Sequence, residues 1–395
     1  MTVNQESVVL VAARRSPIGA FQGTLAPLSA TRLGSTVIRQ VLADSSLQGG
    51  DIEQALLGCV LQAGLGQAPA RQAVLGAGLP VSTPAMTINK VCGSSLAALV
   101  LADDAIRSGS SSSVLAGGME SMSNAPYLLP NSRGGYRMGH QEVLDHIFFD
   151  GLQNAYDGSM MGHFAEATVK RYGFTREAQD AYARESVRRA LAASEGGAFR
   201  REIVPVTVSG RGGDTLVERD EEPFRADPAR IPKMKPAFAK DGTVTAASSS
   251  SISDGAAAFV VMAGSTAASR GIRPLARVAG HAVHAQEPEW FTTAPVGAIR
   301  KLLAKLGWKP DAVDLYEINE AFACVTMAAI KELGLDAARV NVNGGSCALG
   351  HPIGATGARL IVTLVHALHQ RGGKRGVAAL CIGGGEAICV GVEVD

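Results

Sequence analysis

The chain has 395 residues, of which 46% are apolar and 18% charged, and its net charge is +1. Such a composition excludes a disordered chain, and the balanced charge leaves no basic stripe for nucleic acid or an anionic membrane. No apolar run approaches the ~20 residues needed to span a bilayer. The stretch Met1 to Ser7 is polar and leads straight into a strand-like run, so neither a secretory signal nor a transit peptide is expected.

In chain order, Val8–Ala12 reads as a strand, Leu33–Ala43 as a helix and Ala55–Val60 as a strand. Ser94–Ser108 has helical length and periodicity, and Ser113–Ala116 is again strand-like. Glu177–Glu195 is helical, and the charged, Gly- and Pro-rich segment 195–245 reads as an inserted, looped surface region. Ala257–Met262 is a strand, followed by a turn-rich boundary near Gly264–Pro274. The remainder alternates the helix Val296–Leu306, the strand Val313–Ile318, the helices Ala321–Leu333 and Ala355–Arg371, and the strands Gly376–Leu380 and Ala387–Val394. Alternation of this kind predicts an α/β protein whose sheets are covered by helices.

A weak internal repeat accompanies it. "CGSSLAALVLADDAIRSGSSSSVLAGGMES" and "GHPIGATGARLIVTLVHALHQRGGKRGVAALCIGGGEA" each run through Gly, a helix, a polar turn and a strand to a Gly-rich turn ending in Glu. Two related halves that set equivalent loops side by side would explain it, and so would chance likeness between two βα units.

The six cysteines, at 59, 92, 324, 347, 381 and 389, form no Cys-x-x-Cys pair and have no zinc-ligand spacing. They read as reduced thiols, most of them small core residues. Cys92 stands between a strand-like run and a helix, where Gly93 would let the chain turn and Ser94 and Ser95 could cap. A thiol at a helix N-terminus is expected to have a depressed pKa. Local context leaves Cys92 open between a core thiol and a nucleophile. His351 sits in a Gly-rich loop before Pro352, whereas His366 and His369 lie in helical sequence and read as structural or solvated. The nucleotide-binding glycine patterns are absent. Cys381 ends a strand before three glycines whose N–H groups suit an oxyanion site. Asn319 and Glu320 stand at a strand-to-helix junction, where Asn can cap a helix or present a polar group at the strand edge. Cys324, Cys347 and Cys389 read as packing residues.

Four motifs, "NKVCGSS", "NEAFA", "GGSCALGHPIGATGAR" and "CIGGGEA", occur in this order over nearly the whole chain. Together they resemble the thiolases, in particular the acetyl-CoA acetyltransferase branch. The resemblance implies an α/β thiolase fold, two related βαβαβαββ halves in a five-layered αβαβα arrangement. The first half would span 4–265, with a loop domain at about 120–250, and the second 272–394. It implies that Cys92 carries an acyl group, that His351 is its base, and that Cys381 exchanges the proton at the substrate α-carbon. Asn319 would hold a water that forms one oxyanion site with His351. The N–H groups of Cys92 and Gly383 would form the other. Ser250, Ala246, Phe238, Met161, Phe291 and Phe322 would contact the substrate.

Acetyl-CoA and acetoacetyl-CoA are then the expected ligands, with no cofactor or metal besides the CoA thioesters themselves. A homotetramer, a dimer of dimers, is expected from the likeness of "SNAPYLLPNSRGGYRMGH" to a tetramer-forming loop, and a cytoplasmic location from the reduced cysteines and the lack of a signal. The chain departs from the family pattern at Ser95, Met160, Ser248 and Phe291, which bear on acyl preference and CoA contacts. The alternatives are a broader 3-ketoacyl-CoA thiolase, a non-catalytic acyl-CoA-binding relative and a decarboxylating ketoacyl synthase. Retention of Cys92, His351, Asn319 and Cys381 together argues against the last two.

Overall fold

The computed structural model describes residues 6–395, so the start of the expected first half, residues 4 and 5, and most of Met1 to Ser7 lie outside the described residues. The first half runs β1 (Val8–Arg15), α1 (Ala30–Ser45), β2 (Gln54–Gly58), α2 (Pro69–Gly76), β3 (Ala85–Ile88), α3 (Ser94–Arg107) and β4 (Ser113–Ser121). The chain then leaves the sheet for an excursion containing α4 (Met161–Tyr172) and α5 (Arg176–Glu195), and returns as β5 (Ser253–Ala263). The second half runs β6 (Ala276–Ala285), α6 (Ala294–Leu306), β7 (Leu315–Ile318), α7 (Ala323–Leu333), α8 (Thr356–Arg371), β8 (Arg375–Ile382) and β9 (Glu386–Glu393). Both halves follow one pattern, except that the second reduces its third strand to a single bridge from Val340 to Tyr316. The repeat read from the sequence is therefore structural.

The strands form one sheet in the order β7-β8-β9-β6-β1-β5-β4-β2-β3. The halves join at a short seam, where Val9 and Leu10 of β1 pair with Arg277 and Ala276 of β6. Pairing is parallel on the outer sides (β2 with β3 and β4, β7 with β8) and antiparallel through the middle. β4 and β5 are buried along their whole lengths, which is why they read as near-continuous runs of small and branched residues.

Hydrophobic packing defines the layers. α1 and α2 pack with the first half's strands, and α6 with the second half's. α3 and α8 lie in the middle, in one cluster with strands of both halves. Twelve of the sixteen residues of α8 are buried, so it carries apolar side chains nearly all round and not on one stripe. A helix placed this way brings the loop before its N-terminus, which contains His351, against the turn before α3, which contains Cys92.

The charge-rich segment 195–245 is not wholly a surface loop. It contains a hairpin, Val206–Gly210 with Gly213–Val217. Two of its acids, Glu202 and Asp220, are buried against Arg15 at 2.6 Å each. The exposed apolar side chains of the excursion include Tyr127, Leu129, Met138 and Val143.

Candidate active site

The turn before α3 places Cys92 by a route the sequence does not suggest. Gly93 has ordinary helical angles, and the positive φ, 48°, belongs to Val91. For a β-branched residue this is strained, at a cost on the order of 1–3 kcal/mol. Gly93 is needed for space: a Cβ there would come within 2.5 Å of Ile382. Nor do the serines cap α3. Ser94 Oγ accepts from the N–H of Lys90 at 2.9 Å, and Ser95 Oγ accepts from the N–H of Ala358 in α8 at 2.9 Å. Ser95, one of the departures, thus fastens the two central helices together.

His351 approaches from the other half, with Nε2 3.3 Å from Cys92 Sγ. Its Nδ1 lies 2.7 Å from Thr356 Oγ1, and that hydroxyl donates to the carbonyl of Pro352 at 2.9 Å. A hydroxyl has one hydrogen, so Thr356 can only accept from the ring. The proton is therefore fixed on Nδ1, and Nε2 presents its lone pair to the thiol.

The expected depression of the Cys92 pKa is not what the site produces. Burial pushes the thiol up to about 11, against the N–H groups of Gly383 and of Cys92 itself, which point at the sulfur. Burial also drives His351 down to about 3, and the Arg359 guanidinium adds to this. The resting pair is a neutral thiol beside a neutral imidazole. Desolvation outweighs the helix terminus here because the effect of the terminus on a charge is about 1 kcal/mol, less than the cost of burying a thiolate.

The loop of His351 is held from beneath by Glu120, fully buried at the end of β4. Its carboxylate accepts from the N–H groups of Val60, Leu61 and Gly354 at 2.9, 3.1 and 2.9 Å. Burial raises its pKa to about 7 despite these bonds. Gly354 has no room for a side chain, since a Cβ would meet Glu120 Oε2 at 2.6 Å.

Cys381 is the next-to-last residue of β8 and is completely buried in an apolar cluster with Phe291, Ala321, Phe322 and Cys324. Burial pushes its thiol well above the ordinary value, and the nearness of Cys92 and Cys324 adds to this. After it, Gly384 and Gly385 take positive φ values of 95° and 92° to reverse the chain into β9. Glu386 beyond them pairs with Lys90, which ties the Cys381 hairpin to the turn of Cys92.

Asn319 does not cap a helix, because α7 begins only at Ala323 with Phe322 before it. Its Oδ1 accepts from Ser346 Oγ at 2.6 Å, and Arg359 joins Ser346 to Glu317. Its Nδ2 is buried without a partner among the described residues, which leaves two donors for a water or an oxyanion. Glu320 is a structural hub, accepting from Tyr182, Ser186, Asn341 and the N–H of Cys347. Cys324, Cys347 and Cys389 are buried, as expected.

A cavity of about 230 Å³ opens over the Cys92–His351 pair. Of the expected contacts, Gly383, Ser250, Phe238, Met161, Phe291 and Phe322 line it. Cys381 and Asn319 are fully buried and are not among its lining residues, and Ala246 is exposed and does not line it. Ser250 is fixed by donating its N–H to Ala321 O at 3.0 Å, and His351 donates its N–H to Ser251 O at 3.0 Å. Ser248, where the family often has Asn, closes the same loop by accepting from the N–H of Thr245 at 2.9 Å. Phe291 meets Phe322 edge to face at 6.5 Å. The sequence reading missed Phe148, Gly151 and Leu152, which line the cavity from a π-helical turn, Ile147–Leu152. The signal available was the apolar triplet Ile147, Phe148 and Phe149 between Asp145 and Asp150.

The fold and the site define a class, a double α/β enzyme whose cavity pairs a cysteine thiol with a histidine from the opposite half. The family descriptions "Thiolase, N-terminal domain" and "Thiolase, C-terminal domain" match residues 8–265 and 272–394. The chain is 49% identical over 392 residues to an acetyl-CoA acetyltransferase of Pseudomonas aeruginosa, covering 99% of this chain and 100% of that one. It is 47% identical to acetyl-CoA acetyltransferase 2 of Arabidopsis thaliana, covering 100% of this chain and 98% of that one. Among solved structures, a thiolase from Ascaris suum in complex with coenzyme A superposes with a TM-score of 0.94 at 45% identity, covering 98% of this chain and 100% of that one. An acetyl-CoA acetyltransferase of Bacillus anthracis superposes at 0.96 with 40% identity, covering 98% and 99%. The chain belongs to the thiolase family.

Proposed function

We propose that the protein is an acetyl-CoA C-acetyltransferase, which condenses two acetyl-CoA to acetoacetyl-CoA and CoA and runs the reaction in reverse. The observation that carries this is the 3.3 Å approach of His351 Nε2 to Cys92 Sγ beneath a small apolar cavity. The full-length likeness to proteins named acetyl-CoA acetyltransferase supports that substrate over a longer 3-ketoacyl chain.

As Cys92 Sγ attacks the thioester carbonyl, its proton moves to His351 Nε2. The oxyanion forms against the N–H groups of Cys92 and Gly383, which point at the attacking sulfur. CoA leaves with a proton from Cys381. The Cys381 thiolate then takes the α-proton of the second acetyl-CoA. The resulting carbanion attacks the acyl carbon on Cys92, and His351 returns its proton to the departing sulfur. His351 and a water on Asn319 hold the enolate oxygen of that carbanion, and the N–H groups of Cys92 and Gly383 hold the oxygen on the acyl carbon. The cationic imidazole and anionic thiolate arise together, which offsets the burial that disfavours each alone. CoA thioesters are substrate and product, and the scheme needs no metal or resident cofactor.

Rates with 3-ketoacyl-CoAs of increasing length test the reading. It requires the highest kcat/KM for acetoacetyl-CoA; a steady rise with chain length would transfer the assignment to a degradative thiolase. The reading also includes two halves at 4–265 and 272–394, with the loop domain at about 120–250. It includes a cytoplasmic location and a dimer of dimers as well. The exposed Tyr127, Leu129, Met138 and Val143 support the latter, since exposed apolar clusters mark association surfaces. Sedimentation of the purified protein decides the oligomer.

A further inference from the structure

α8 carries its functional contacts in its first turn, from Thr356 to Arg359, yet its far end holds a second chemistry. There a hollow of about 620 Å³ is floored by Val11, Ala12, Ala13 and Leu275. It opens where the two halves part. β1 and β6 pair only through Val9 and Leu10, and Leu275 donates its N–H to Leu10 O at 2.7 Å. Beyond that point the sheet splits, and the C-terminal end of α8 faces the gap.

The rim is cationic. Arg14, Arg201 and Arg273 line it against a single carboxylate, Asp44, which pairs with Arg14. Arg201 and Arg273 are exposed, and their guanidinium groups have no ion-pair partner among the described residues. His366 and His369 complete the wall. Each is fixed through Nε2 on a backbone carbonyl, of Ala13 at 3.2 Å and of Leu275 at 2.7 Å, so their Nδ1 atoms are uncommitted. His366 is held below its ordinary pKa by burial, and Arg14 and His369 push the same way, while Glu202 opposes. Glu202 itself is taken up by Arg15 and Thr363. A comparable hollow of about 740 Å³ on the other side of the seam differs in kind: its Arg277 and Arg375 both pair with Glu393.

We propose that the hollow at the C-terminal end of α8 binds the polyphosphate group of a small ligand. Guanidinium groups match phosphate oxygens in bidentate geometry, and an apolar floor takes the remainder of the molecule. The volume falls within the ~300–1000 Å³ of small-molecule sites. The helix end contributes a partial negative charge of about one half, which three guanidinium groups against one carboxylate exceed. Along α8, His366 and Gln370 lie ten and fourteen residues beyond Thr356, about 15 to 21 Å from the end that meets His351, and the hollow shares no lining residue with the catalytic cavity. Three sources share the chemistry: a nucleoside triphosphate, a second molecule of CoA, and free polyphosphate.

Calorimetric titration of the intact enzyme with ATP, CoA and inorganic tripolyphosphate tests this, with Arg201→Ser/Arg273→Ser and the single Arg273→Ser alongside. The result expected is that at least one probe binds wild type and loses about tenfold or more in affinity in the double variant, less in the single. The KM for acetyl-CoA should stay unchanged in both variants, which shows folding intact and separates this site from the catalytic cavity. Preference for ATP assigns a nucleotide, preference for CoA a second CoA, and parity with tripolyphosphate charge alone. Absence of binding to wild type at millimolar probe, or equal binding to wild type and double variant, overturns the proposal.

Discussion

Thr356→Val removes one hydroxyl and keeps the shape of the side chain. In the structure that hydroxyl donates to Pro352 O and accepts from His351 Nδ1–H. Without it the ring has no partner for Nδ1–H, and the alternative tautomer, with the proton on Nε2, aims a hydrogen at Cys92 where a lone pair is needed. Leaving a buried donor unsatisfied costs about 1–3 kcal/mol. At about 1.4 kcal/mol per decade this predicts a roughly 5- to 150-fold slower acylation of Cys92. Stopped-flow measurement of the CoA burst on mixing with acetyl-CoA reads that step. KM should move little, and Thr356→Ser should restore most of the rate. An undiminished burst in the Val variant would refute the claim that Thr356 sets the tautomer.

Cys381→Ser should still acylate Cys92 but form no acetoacetyl-CoA, which mass spectrometry and product assay read separately. Glu120→Gln should remove a pH effect. The folded carboxyl has a pKa of about 7 against 4.5 for the free group, so the fold binds the proton more tightly. Its stability contribution is present below pH 4.5 and lost as pH rises towards 7. The Tm of wild type should fall across that window relative to the Gln variant; parallel curves would contradict the burial argument. Ser95→Gly strips the acceptor from Ala358 N–H and should lower stability by about 1–3 kcal/mol in denaturant titration, while KM is retained. With His351 pushed down to about 3 and Cys92 up to about 11, the acylation rate should be flat between pH 5 and 9. An inflection near 6.5 would mean that the imidazole titrates normally.

Hydrophobic pattern made most of the scaffold legible, because buried strands and central helices declare themselves as apolar runs. Val8–Ala12 and Ala257–Met262 fall inside β1 and β5, and Ala355–Arg371 lies within one residue of α8. β3 and α2 were not legible: Ala85–Ile88 is four residues of an edge strand, and Pro69–Gly76 is two turns long. β6 was missed because Arg277, His281 and His284 break its pattern. Segment 195–245 misled for a definable reason. Charge predicts exposure, yet Glu202 and Asp220 are buried because Arg15, far away in sequence, neutralises them. At the site, motif order marked Cys92, His351, Cys381 and Asn319 as one set. What it could not carry was the environment. The neutral resting pair, the tautomer lock of Thr356 and the seat made by Glu120 all follow from burial and from contacts between the two halves.

Everything in the proposed reaction depends on Cys92 taking up the acyl group. Acid quenching of the enzyme with excess acetyl-CoA, followed by peptide mass spectrometry, tests it most directly. The expected result is an acetyl group on Cys92, absent from Cys92→Ser and persistent in Cys381→Ser. No adduct, or an adduct on Cys381 with Cys92 free, would contradict it.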